Sequence, residues 1–324
     1  MKFHHLRDVL AVAEHGSLRA AARHLDIAQP ALTRSIRELE RDLGAALFER
    51  QARGVVVTPA GERFVRRAKA AQSELRRARE EVAQMQGGTR GTVAVCLSSV
   101  PHIALLPHAL RPFRERFPDV HLDVIDGVFP AIESSLRDGA LDCYIGPVPG
   151  RLPGAGLLVE KLFDNTRVIV ARKGHPLARA RSLGELAGAE WITTSITHKA
   201  DEELSPLFAQ HGLPAPRLAL QSHSALTFVV ALVYSDLLMM LPVQWLDFAL
   251  TREALQKVDI AEPLPAPPIC IVRRAGLPLT PAAEYFCDMI RRAAAHLVTG
   301  APPKTRRAST APAPAARRRT TAPR

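Results

Sequence analysis

Residues 17–44 read SLRAAARHLDIAQPALTRSIRELERDLG, and this stretch decides the reading of the chain. Ser17 brings the hydroxyl that an N-cap needs, so a short helix is expected over Leu18–Leu25. Asp26-Ile27-Ala28 then form a turn. Gln29-Pro30 open a second helix, where proline is tolerated because the first-turn N–H groups have no intrahelical partner. Leu32, Ile36, Leu39 and Leu43 recur at helical spacing and give that helix a buried stripe. Ala21 and Ala22 are small, as needed where two helices cross closely. The opposite face of the second helix carries Gln29, Thr33, Arg34 and Arg37. Glutamine can pair with adenine N6/N7, and arginine with guanine O6/N7 or phosphate. The start of a recognition helix is the part that meets base edges in the major groove. Ser17 and Arg19 lie near a helix start, which suits a phosphate. The segment is therefore expected to be a helix-turn-helix on double-stranded DNA, with Ser17, Arg19, Gln29, Pro30, Thr33, Arg34 and Arg37 at the contact.

Downstream, AALFERQARGVVVTPAG (45–61) continues the motif. Leu47 and Phe48 close a small core, Arg50 and Arg53 flank a turn, and Val55–Val57 read as a strand. This is a β-hairpin wing whose basic tip would lie along the DNA backbone or minor groove. Thr58-Pro59 is a helix-start signal, N-cap then first helical position, and Gly87-Gly88 ends that helix. Between them Phe64, Ala68, Ala71, Leu75, Ala78, Val82 and Met85 alternate at spacings of four and three, an a/d heptad pattern. A helix of 28 residues is about 42 Å long. Its stripe is too narrow for a globular core and reads as a dimer seam.

From Thr92 the pattern becomes α/β. β-rich runs are expected at Thr92–Leu97, Val120–Ile125, Cys143–Ile145, Arg167–Ala171, Trp191–Thr193, Arg217–Leu220, Leu237–Leu241 and Ile269–Val272. Helices are expected at Leu105–Phe117, Ala131–Asp138, Ala200–His211, Ala225–Tyr234 and Pro281–Leu297. Such alternation implies mainly parallel sheets covered by helices. Residues 301–324 hold Ala, Pro, Thr and Arg with no aromatic or large aliphatic residue, so they form no core and read as a disordered basic tail.

Charge follows the same division. Residues 1–90 carry 17 Lys/Arg against 11 Asp/Glu, residues 301–324 carry 7 against none, and residues 91–300 carry 19 against 21. A basic front end on a near-neutral body points to a polyanion partner for the front end. No run reaches the roughly 18 apolar residues of a membrane span, and residues 1–16 lack the h-region of a signal peptide. The chain is expected in the cytoplasm, with no membrane partner. Cys96, Cys143, Cys270 and Cys287 are far apart and form no CxxC, which argues for buried free thiols rather than a zinc site or disulfides. His102, His198 and His223 show no metal-ligand spacing. No cofactor or metal is expected.

Ser17-Leu18, Ala21-Ala22, Leu25, Gln29-Pro30-Ala31-Leu32-Thr33, Ile36, Leu39-Glu40, Leu43-Gly44, Leu47-Phe48, Arg50, Val57-Thr58 and Gly61 stand at the spacing of the LysR-type transcriptional regulators, which the chain resembles. The likeness continues through Gly91-Thr92-Val93, Leu106-Pro107, Phe117-Pro118-Asp119-Val120, Leu136, Gly139 and Leu141-Asp142, about 300 residues in all. The resemblance implies an α/β protein with an N-terminal, mainly α winged helix-turn-helix (1–58), a long linker helix for dimerisation (59–88), and an effector domain (91–300). That domain would resemble periplasmic binding proteins, with subdomain I (91–162 and 268–298) and subdomain II (163–267) joined by two crossover strands. It further implies an imperfect inverted-repeat operator, a homodimer or homotetramer, and a small effector in the cleft. One departure is Tyr234-Ser235-Asp236, where many members carry small flexible residues. These bulkier side chains are expected to narrow the cleft beside them.

Ligands of open α/β sheets bind at the carboxyl ends of parallel strands. The first strand ends at Ser98-Ser99-Val100 and the later Trp191-Ile192 run ends at Thr193-Thr194-Ser195. Hydroxyls and free N–H groups at such turns suit an anion, so the effector is expected to be a small carboxylate or aromatic acid. Gly127, Phe129, Pro147 and Thr227 are further candidates, with Phe129 able to stack an aromatic ring. Two other classes compete with this reading. A plain solute-binding protein needs a secretion signal in place of residues 17–44. An enzyme needs a nucleophile and base within reach, and no phosphate loop, GxSxG or HExxH occurs.

Overall fold

The computed structural model describes residues 1–51, 54–129, 131–148, 156–193, 203–222 and 224–299. The N-terminal head contains α1 (Phe3–His15), α2 (Leu18–His24), α3 (Gln29–Leu43), β1 (Phe48–Gln51) and β2 (Gly54–Val57). β1 and β2 pair antiparallel, Phe48 opposite Val57, and form the expected wing. Val9, Val12, Ala21, Ala22, Leu32, Ile36, Leu39 and Leu47 make the core of the head. Leu43, assigned above to the buried stripe, is exposed. It is the last residue before Gly44, which ends α3 in a left-handed conformation, so the stripe runs out one turn earlier.

The head leads into α4 (Pro59–Met85), capped by Thr58 through its hydroxyl and the Gly61 amide. Gly61 is required by a close approach: a Cβ there would stand 2.1 Å from the Leu47 carbonyl oxygen. The first two seam positions serve the head itself, since Ala68 is buried and Phe64 packs on the head core. Further along, Leu75, Val82 and Met85 are 42%, 57% and 76% exposed.

Beyond α4 the chain builds two sheets. The first contains β3 (Gly91–Leu97), β4 (Val120–Asp126), β5 (Cys143–Pro147), β6 (Leu157–Phe163) and β12 (Ile269–Arg274) in the order β4-β3-β5-β12-β6. The second is made from β7 (Arg167–Arg172), β8 (Glu190–Thr193), β9 (Arg217–Gln221), β10 (Met239–Pro242) and β11 (Leu255–Val258). Its order is β10-β7-β11, with the parallel pair β8-β9 attached through a bridge from Trp191 to Leu238. The chain crosses between sheets twice, from β6 to β7 and from β11 to β12. The helices are α5 (Leu106–Arg116), α6 (Glu133–Arg137), α7 (Leu204–Gln210), α8 (Ala225–Tyr234), α9 (Gln244–Asp247) and α10 (Pro281–Thr299). A π-helical turn, Pro101–Leu105, leads into α5.

Strand alternation sends successive residues to opposite faces, and both sheets use both faces. Val93, Val95 and Leu97 pack with Phe113, Phe286 and Ile290, whereas Ala94 and Cys96 pack with Leu136, Tyr144 and Val272. In the second sheet Ile169 and Ala171 meet Trp191 and Phe208, whereas Val168 and Val170 meet Phe228 and Trp245. The expectation of mainly parallel sheets is corrected. β3 pairs parallel with β4 and β5, and β8 with β9. β12 runs antiparallel to β5 and β6, and β7 antiparallel to β10 and β11. The antiparallel partners are the strands reached by the two crossings, whose direction no local pattern encodes. All four cysteines are buried and free.

Candidate nucleic-acid interface and ligand cleft

Ser17 caps α2 by accepting the Ala20 amide, 3.4 Å away. The turn to α3 closes at Asp26, which adopts φ +52° without being glycine. Aspartate tolerates that conformation better than most residues. No side chain caps α3, whose N-cap is Ala28. Its open N-terminus and the positive end of its dipole are available to a phosphate. On the solvent face Gln29, Pro30, Thr33, Arg34 and Arg37 line one shallow concavity of about 650 Å³. Glu38 and Arg41 complete it and were not singled out from the sequence. They lie one turn beyond Arg34 and Arg37, so helical spacing alone could have found them. Arg19 is exposed on α2 and Arg50 on β1. Arg53 lies outside the described residues.

Four hydrogen bonds fix the geometry of this face. Asp8 on α1 accepts the Ser35 hydroxyl of α3 at 2.5 Å. Glu40 on α3 accepts the Leu47 and Phe48 amides at 2.8 and 3.2 Å, which anchors the start of the wing. The Val55 amide donates to the Gly16 carbonyl at 2.9 Å, which joins β2 to the end of α1. Recognition helix and wing are thus held in one rigid frame.

In the first sheet β3 ends at Leu97, just before Ser98, and Ser99-Val100 begin the helical segment that leads to α5. Ser98 is buried, and its amide donates to the Ile145 carbonyl at 2.9 Å. Tyr144 donates its hydroxyl to the Pro147 carbonyl at 3.0 Å. Gly146 lies beneath both hydroxyls: a Cβ there would meet Tyr144 Oη at 2.3 Å and Ser98 Oγ at 2.7 Å. Burial pushes the Tyr144 phenol well above its usual range, so it remains a neutral donor. Ser99 is half-buried, Val100 is buried, and Gly127 and Pro147 are half-buried. In the second sheet Thr193 ends β8 and is buried. Its carbonyl accepts the Ser222 amide. Thr194 and Ser195 lie outside the described residues, as do His198 and His223. Thr227 is exposed in the first turn of α8, capped by Ser224.

Two readings need correction. Phe129 is buried in the core of the first sheet, its ring edge-to-face with Tyr144 at 5.1 Å. It holds Tyr144 in place and does not present a face to a ligand. Tyr234-Ser235-Asp236 do not narrow the cleft. β10 runs parallel to β8, and these residues precede β10, at the end remote from Thr193. Tyr234 is 83% exposed, Ser235 donates to the Ala231 carbonyl, and Asp236 pairs with Arg172.

Sequence reasoning also missed Arg77, on the side of α4 turned to the first sheet. It is 4% exposed and paired with the buried Asp142. No sequence pattern marks a buried arginine on a helix rich in exposed ones.

Comparison with known proteins agrees with this architecture. The family described as "Bacterial regulatory helix-turn-helix protein, lysR family" matches residues 3–62, and "LysR substrate binding domain" matches residues 86–295. The chain is 28% identical over 288 residues to the HTH-type transcriptional regulator GalR of Pseudomonas putida, covering 89% of this chain and 72% of that one. It is 27% identical over 315 residues to the regulator GbpR of Rhizobium radiobacter, covering 96% and 95%. Among solved structures, full-length CbnR bound to its target DNA superposes with a TM-score of 0.65 at 22% identity, over 90% of this chain and all of that one. A full-length OxyR variant from Pseudomonas aeruginosa gives 0.66 at 23% identity, over 90% and 95%.

Proposed function

The chain belongs to the LysR family of DNA-binding transcriptional regulators, and from that premise we propose that it reads an imperfect inverted-repeat operator and answers a small anionic effector. It binds DNA as a regulator, not as an enzyme. The observation that carries the operator reading is the row Gln29, Thr33, Arg34 and Arg37 on the uncapped α3, flanked by the wing. Major-groove readout needs such residues at the start of a rigid helix. The exposed stripe Leu75, Val82 and Met85 supports pairing of two chains along α4, and hence a split, roughly palindromic site. A dimer or tetramer in the cytoplasm is the corresponding assembly.

The domain limits that fit this reading are 1–58 for the head, 59–88 for the linker helix and 91–300 for the effector domain. Ser98, Ser99, Val100, Gly127, Pro147, Thr193, Thr194, Ser195 and Thr227 are proposed to bind the effector. The buried Ser98 hydroxyl, which lies with the Tyr144 hydroxyl against Gly146, supports this, because a buried hydroxyl needs a hydrogen-bond partner. A small carboxylate or aromatic acid suits it.

Arg34→Ala tests the operator reading. The expected result in a fluorescence titration is a loss of about 1–3 kcal/mol of affinity for the operator, with relaxed discrimination at one base position. Affinity and salt dependence equal to those of the parent would remove Arg34 from the interface. For the cleft, a thermal-shift screen of carboxylates and aromatic acids against the full chain should give a stabilising compound whose effect Ser99→Ala abolishes. A stabilising compound indifferent to changes at both Ser99 and Thr194 would overturn the assignment.

A further inference from the structure

Helix α4 is gripped by the first sheet through a buried ionic joint. Arg77 donates Nε to Asp142 at 2.6 Å and one terminal nitrogen to the Gly139 carbonyl at 2.7 Å. Its other terminal nitrogen donates to Glu74 at 2.7 Å, and Glu74 in turn accepts from Arg274 of β12. Asp142 uses its second oxygen to accept the Ala94 amide of β3 at 2.8 Å. Asp142 is 3% exposed. The space is closed on the far side by Gly139, at φ +71°, where a Cβ would stand 3.0 Å from a guanidinium nitrogen of both Arg77 and Arg274. Two turns along α4, the buried Gln84 accepts the Ala282 amide of α10 at 3.0 Å and donates to the Arg90 carbonyl at 3.1 Å.

A buried ion pair adds little stability over an apolar pair of the same size, but removing or displacing one partner is costly because it strands a charge. Such a joint therefore holds one geometry and resists small slips. The Asp142 carboxylate touches both the helix that carries the DNA-binding head and β3, four residues before Ser98. We propose that Arg77 is a positioning residue: its clasp on Asp142 sets the angle of α4, and with it the DNA-binding head, on the effector domain. The clasp links the middle of β3 to α4, the helix that carries the head, through two hydrogen-bonded steps: the Ala94 amide to Asp142, and Asp142 to Arg77. The inference rests on the cleft reading only for where a signal starts.

The test needs no effector, so it fails or succeeds independently of the cleft. Cysteines replace the exposed Glu14 of α1 and His121 of β4 in the full chain, and both are spin-labelled. The four native thiols are buried and remain unlabelled. Labelled protein is diluted in excess unlabelled chain, so that only distances within one chain are read. The parent is expected to show one narrow head-to-effector distance. Arg77→Met with Asp142→Asn removes both charges together and keeps a carbonyl for the Ala94 amide. Its distance distribution should broaden or split. Arg77→Lys keeps the charge against Asp142, and with it the fold, but cannot also reach Gly139 and Glu74. It should broaden the distribution to a smaller degree. A lower melting temperature with the parent's distribution in Arg77→Lys, or in a folded double variant, would show that the pair only stabilises and overturn the proposal.

Discussion

Glu40 is the residue at which sequence and structure explain each other best. In the sequence it is an acid on a basic helix that faces a polyanion, which looks unfavourable. In the structure its carboxylate accepts two backbone amides at the start of the wing, so the charge is spent on positioning. His5 is a second buried polar residue of the head, 2% exposed, with Nε2 unpaired and 3.9 Å from Glu38. Burial lowers its pKa below 6.5, helped by His4 and the N-terminal amine, and Glu38 only partly offsets this. The unfolded chain therefore takes up the proton first. Stability from neutral His5 is complete above about 6.5 and is lost as pH falls through the lower folded pKa. Urea midpoints measured across this window should fall for the parent and fall less steeply for His5→Phe. Parallel curves would mean that His5 does not titrate with folding. Neither role was legible in the sequence, because both depend on where a side chain lands after the helices cross.

At the scale of elements, the most legible features were those with a local physical cause. The Ser17 and Thr58 caps, the proline at the start of α4 and the Ala225–Tyr234 helix all stand where local rules place them. β6 and β11 were not read as strands. Both are edge strands, and they carry charged and half-exposed residues such as Glu160, Lys161 and Lys257 in place of continuous apolar runs. The seam on α4 was legible as a heptad, but its first two positions pack on the head. The pairing surface proposed above is therefore the part from Ala71 to Met85. Val82→Glu places two like charges in that seam if the chains pair there. It should weaken the dimer by about 2 kcal/mol, roughly thirtyfold in Kd, as read by sedimentation equilibrium. An unchanged association constant would place the dimer contact elsewhere.

At the scale of the whole molecule, the two-sheet body was legible as α/β alternation, and the direction of its sheets was not. The charge map was legible in full, and it argues a last outcome. Residues 301–324 contribute seven positive charges and no negative one, and without them the formal charge falls from +11 to +4. The base contacts proposed above lie in the head, so the basic residues of 301–324 are expected to act only through phosphates. Each phosphate contact adds about 0.9 to the slope of log affinity against log salt. Removing residues 301–324 should therefore lower that slope on duplex DNA of arbitrary sequence by about 0.9 for each of the seven charges that meets a phosphate, to a limit of about 6. It should leave the preference for the operator over other sequences at fixed salt nearly unchanged. It should also leave the melting temperature unchanged, since the segment holds no residue able to join a core. A slope equal to that of the full chain would show that the tail does not touch DNA. A lost preference for the operator would show that it contributes to base recognition and that the head does not act alone.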